Sequence, residues 1–78
     1  PPANSEEEYQ LGYRHVSGQG VDRNRVLAYK WLTLAARHGH EQAGELRDMI
    51  AERMTASEVS DAERLVRDCL PSAKLAVA

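Results

Sequence analysis

Ala28, Trp31, Leu32, Ala35 and Ala36 recur at the i, i+3, i+4, i+7, i+8 spacing that lines one side of an α-helix. A strand would scatter these positions over both of its faces, so the stretch is read as a helix with one side buried against a neighbour. Ala28, Ala35 and Ala36 are small enough to let a second backbone approach closely, and Trp31 supplies bulk. Asn24 stands where the helix needs an N-cap and Gly39 where it needs a terminator.

The same grammar runs on either side. Ser5-Glu6-Glu7-Glu8 reads as a capping box that opens a helix, with Glu8 reaching back to the cap. Tyr9, Gly12 and Val16 then share a face, and the helix ends near Ser17, where Gly18 and Gly20 permit a left-handed backbone. From Glu41 a third helix turns Ala43, Leu46, Ile50 and Met54 inward. Thr55-Ala56-Ser57-Glu58 is a second capping box, and behind it Val59, Ala62, Val66 and Cys69 form an apolar line, with Glu63 and Arg67 as an i, i+4 pair and Pro71 as the stop. No stretch reads as a strand. The fold class is all-α, a solenoid fragment of four antiparallel helices in two hairpins.

Ala43 falls opposite Glu7 at an offset of 36 residues, and Thr55 opposite Asn24 at an offset of 31, so the two hairpins read as successive units of a repeat. Gly12 in mid-helix costs about 1 kcal/mol relative to Ala, which is expected where a neighbouring helix crosses. With 78 residues and a single cysteine the chain has no disulfide to staple so small a core. Its net charge of −2 argues against nucleic-acid and anionic-membrane partners. No signal peptide or membrane-spanning run is read, and no compartment is assigned.

Leu11-Gly12, Gly18-Gln19-Gly20-Val21, Ala28-Tyr29-Lys30-Trp31, Ala35-Ala36 and Gly39-His40 together resemble the Sel-one-like repeat, a relative of the tetratricopeptide repeat. The resemblance covers about half the chain, with Gly12, Gly18, Gly20, Ala28, Trp31, Ala35, Ala36 and Gly39 as its structural positions. It departs from the family pattern at Glu7 and His15, and in the second unit Arg47 and Asp48 replace the Leu-Gly pair. Residues 1–4 are accordingly read as the edge of a linker or excised piece, 5–39 as a full repeat, 40–71 as a divergent capping helix pair and 72–78 as a tail that frays or docks on a neighbour.

Candidate chemistry gives way to structural readings. His38 and His40 flank Gly39 and could share a metal ion, but the last-turn position of His38 and the helix-opening position of His40 explain both. Cys69 with His15 as base lacks an orienting third group, and Cys69 is read as a buried core thiol. Gly18-Gln19-Gly20 is a turn, since no Lys-Ser or Lys-Thr follows it. Arg14, Arg23 and Arg25 could gather near that turn and attract an acidic peptide or nucleic acid, although a solvated face accounts for them. Trp31 and Tyr9 are expected in the core and Tyr13 as a partly exposed contact.

The resemblance implies a non-catalytic scaffold or adaptor that binds another protein or peptide, needs no cofactor, and uses the first helix of each hairpin. Gln10, Tyr13, Arg14, Ser17 and Arg47 are the expected contact residues. The alternative is a terminal cap, or a homodimer formed through an open solenoid face.

Overall fold

The computed structural model describes residues 4–18, 20 and 23–69. Within them the chain forms α1 (Ser5–Ser17), α2 (Arg25–Arg37), α3 (Glu41–Ala51) and α4 (Ala56–Asp68), and no strand occurs among the described residues. Pro71, the 72–78 tail, Gln19 and Val21 lie outside the described residues.

Each helix opens on a side-chain cap. Asn4 accepts from the Glu7 amide, Asn24 from Leu27, His40 from Ala43 and Thr55 from Glu58, which relieves amides that lack intrahelical partners. The caps keep the two offsets read from the sequence, 36 residues from Asn4 to His40 and 31 from Asn24 to Thr55. Thr55 and Glu58 form the expected reciprocal box, with Glu58 Oε1 accepting from the Thr55 amide at 2.9 Å. The first helix differs from expectation by one residue: Asn4 caps it in place of Ser5, which sets Glu8 one position past the box and frees its side chain. Gly18 and Gly39 take φ of 81° and 102° at the ends of α1 and α2, backbone that a side chain would strain.

Helix α2 lies at the centre and packs against α1, α3 and α4. Its Ala28, Leu32 and Ala35 have no exposed surface and meet Ala43 and Ile50 of α3, with Tyr9, Val16, Tyr29, Ala36, Leu46 and Met54 packed around them. A helix with three neighbours buries more than one stripe, so Leu34 and Thr33 are buried as well, which the one-stripe reading does not anticipate. The expectation for Trp31 is corrected for the same reason. The core line runs Ala28, Leu32, Ala35, and Trp31 stands at its edge, half-buried, with the Lys30 ammonium 4.2 Å from the ring centroid.

On α4, Ala62 and Val66 are buried as the spacing requires, and Val59 partly so. Cys69 is instead exposed, because the helix ends there and the residue serves as its C-cap. Glu63 faces Tyr29, whose hydroxyl donates to its Oε2 at 3.4 Å, in place of the expected pairing with Arg67.

Gly12 is the contact point of α1 on α2. A Cβ at Gly12 would sit 2.7 Å from Leu32 Cγ, 2.8 Å from Leu32 Cδ2 and 3.3 Å from the Ala28 carbonyl oxygen. Leu32 is wholly buried and has nowhere to move. At Gly44 of α3 a Cβ would meet Ala36 Cβ at 3.6 Å, an ordinary contact. Gly12→Ala therefore lowers stability by about 1 kcal/mol or more, overpacking outweighing the gain in helix propensity. Gly44→Ala raises it by about 0.5–1 kcal/mol. Urea unfolding of the two variants reads the opposite signs.

Candidate functional site

The turn between α2 and α3 is tied to the start of α1. His38 Nδ1 meets Glu8 Oε1 at 2.7 Å, and His40 Nε2 meets Glu6 Oε1 at 3.0 Å. His40 Nδ1 accepts from the Ala43 amide at 3.2 Å, which leaves the ring proton on Nε2 to be donated to Glu6. Tyr9 completes the closure by stacking on the His40 ring, with centroids 4.3 Å apart and planes 14° off parallel. Glu8 is only 6% exposed, so its acid has left water and depends on the imidazole for a partner. The two histidines thus reach different glutamates, and among the described residues no three His, Cys, Asp or Glu side chains gather where a metal ion could be held.

This closure was not legible in the sequence, because 30 residues separate Glu8 from His38 and 34 separate Glu6 from His40. The usable signal was a fourth-position glutamate beyond an Asn cap, together with the paired histidines at a helix stop.

The sequence model of the Sel1 repeat matches residues 8–40. Its first position is the buried Glu8 and its last is His40, so the segment it spans is the one that the Glu8–His38 and Tyr9–His40 contacts close on itself. Residues 8–40 are a Sel1 repeat. Sel1 repeats are helical and of solenoid type, generally mediate protein–protein interaction and are generally non-catalytic. No curated protein and no solved structure matches the chain.

Among the described residues, grooves on the surface of the repeat and the following helix pair include two lined by residues of α3. The first lies between α1 and α3, has a volume of about 320 Å³, and is floored by Val16, Leu46, Met49 and Ile50. Arg23 and Arg25 from the approach to α2, and Arg53 with Glu52 from the end of α3, form its rim. Positions 46, 49 and 50 share one side of α3, which is why the helix delivers them together, and Arg53 follows from the turn after it. Met49 remains 64% exposed. The second groove, about 330 Å³, is bounded by Tyr29, Thr33 and Arg37 of α2, Arg47 of α3, and Glu63, Val66 and Arg67 of α4. Burial, with the Glu63 charge second, pushes the Tyr29 hydroxyl above its ordinary pKa of 10.0.

The expected contact residues divide between these surfaces. Gln10, Tyr13 and Arg14 are exposed on α1 and Ser17 half-exposed, with Tyr13 at 44%. Gln10 Nε2 donates to Glu6 at 2.8 Å and Ser17 Oγ to the Tyr13 carbonyl at 3.1 Å. Tyr13 lies three residues before Val16, a lining residue of the first groove, whereas Gln10, Arg14 and Ser17 stand about 100° or more around α1 from Val16. Arg47 does not line that groove. It lies about 100° around α3 from Leu46, borders the second groove, and holds Asp48 at 3.1 Å. Arg23 and Arg25 do share a groove, and the third arginine there is Arg53, a partner that local spacing could not reveal.

His38→Ala strands the buried Glu8 and costs about 1–3 kcal/mol, whereas adding Glu8→Met removes the stranded acid and restores most of that loss. Chemical unfolding of the single and double variants measures both. Glu6 is held below its ordinary 4.5, first by the Gln10 hydrogen bond and then by His40. Its folded pKa lies below the unfolded one, so its stabilisation is present above the unfolded value and vanishes as pH falls through the folded value. Glu6→Gln accordingly flattens the fall of Tm with pH below 4.5, read from thermal scans across the acid range.

Proposed function

We propose that the chain is a protein-binding module, a scaffold or adaptor whose contact surface is the α1 row Gln10, Tyr13, Arg14 and Ser17 together with the α1–α3 groove. The observation that carries this is the exposed apolar surface at that place. Among the described residues Tyr13 and Met49 are the exposed large hydrophobic side chains; Met49 lines the groove and Tyr13 stands on α1 one turn before its Val16. The other exposed side chains among the described residues are charged, polar or small, as the outer surface of a solenoid unit requires. On this reading 5–39 is the full repeat and 40–71 the closing pair, the work is shape and polar complementarity, and no bond is made or broken.

A second reading, that α3 and α4 act as a terminal cap, draws support from α4. Its outward positions Ser60, Asp61, Glu63, Arg64, Arg67 and Asp68 are exposed and polar, as the last unit of a solenoid requires. The two readings are compatible, since a cap can carry a binding groove on its other side.

The test is site-specific photo-crosslinking. A photoreactive amino acid at Tyr13 or Met49 should give adducts with a second polypeptide in cell extract, and one at Asp61 on α4 should not. Adducts at Asp61 alone, or equally at all three positions, would remove the α1–α3 surface from the account.

A further inference from the structure

The α1–α3 groove joins an apolar floor to a rim of one predominant sign. Val16, Leu46, Met49 and Ile50 form the floor, while Arg23, Arg25 and Arg53 outnumber Glu52 on the rim. Glu58 borders Arg23 and Arg25 on their far side and keeps its charge while accepting from the Thr55 amide at 2.9 Å, so among the described residues three arginines stand against two glutamates, a balance of one positive charge. The chain as a whole is negative, at −2, so the positive rim is a local feature set against the overall balance.

We infer that this groove takes a peptide segment in which acidic side chains flank an apolar one; the inference rests on the protein-binding reading and names the chemistry of the partner. The apolar side chain enters against Met49, whose unbranched thioether adapts to irregular shapes. The flanking carboxylates meet the arginines, whose planar forks bind them in paired hydrogen bonds. At about 320 Å³ the groove holds a side chain or two and falls at the low end of what a small-molecule site needs. A second copy of the chain is a poor occupant, because a two-fold contact would set the arginine rim against itself. Nucleic acid is disfavoured too: among the described residues no aromatic ring lines the groove for a base to stack on.

The probe is a fluorescently labelled peptide, Asp-Glu-Leu-Leu-Glu-Asp, titrated by polarisation against the 78-residue chain. Its comparators are Lys-Arg-Leu-Leu-Arg-Lys, Asp-Glu-Ser-Ser-Glu-Asp and an oligouridylate. The acidic apolar peptide should bind roughly tenfold more tightly than each comparator and weaken as salt rises. Arg53→Glu should weaken it about tenfold and Met49→Ser about threefold, whereas Arg64→Glu, the same change of charge on the exposed face of α4, should leave it unaltered. Circular dichroism confirms that each variant is folded. Equal binding of the basic or serine peptide, tighter binding of the oligouridylate, or indifference to Arg53→Glu would overturn the inference. Absence of peptide binding while Met49 still forms photo-adducts would also overturn it, and would leave the protein-binding reading standing; failure of that reading shows separately, as loss of the adducts themselves.

Discussion

Helix α1 can lie on α2 only because residue 12 has no side chain. At that crossing Leu32 Cγ and the Ala28 carbonyl occupy the space that a Cβ would need, so the helix gives up propensity to gain proximity. The approach lets Tyr9 and Val16, one turn to either side of Gly12, reach the Ala28–Leu32–Ala35 line. With α1 seated there, α2 has neighbours on three sides, and its alanines are the complement to that glycine. A core this small has little surplus, so closeness of backbones stands in for the bulk that larger proteins use.

The same placement brings the head of α1 to the turn after α2. Glu8, pushed beyond the cap by the choice of Asn4, becomes a buried acid whose partner comes from His38, and Tyr9 lies flat on His40. His40 serves two elements at once: one ring nitrogen caps α3 and the other holds Glu6 of α1. The Sel1 repeat is thereby closed at its ends, and the orientation of α3 is set from inside the repeat. That orientation determines which side of α3 faces α1, and with it the groove that Leu46, Met49, Ile50 and Arg53 build against Val16. The groove takes its apolar lining from α1 and α3, and Arg23 and Arg53 come to it from the connections between helices.

The sequence by itself determined the elements. Period-3.6 stripes, Asn and Thr caps and glycines at helix stops are local devices, each acting within a turn or two, and they specify four helices and the spacing of the two hairpins. They also place Ala28, Leu32, Ala35, Ala43, Ile50, Ala62 and Val66 in the interior. The repeat signature was legible for the same reason, since its glycines and alanines are demanded by close helix packing.

Tertiary structure decided how far each stripe extends and which groups meet across the turns. A helical wheel assigns one buried side per helix, but α2 has three neighbours, so Thr33 and Leu34 go inside and Trp31 moves to the edge. Cys69 fits the apolar line of α4, yet the helix stops before the core can cover it. The Glu8–His38 and Glu6–His40 contacts and the gathering of Arg23, Arg25 and Arg53 join residues about 30 positions apart. Local chemistry carries no information across such separations: the crossing of α1 over α2 at Gly12 and the turn at Gly39 set the distances, and only then do these charges acquire partners.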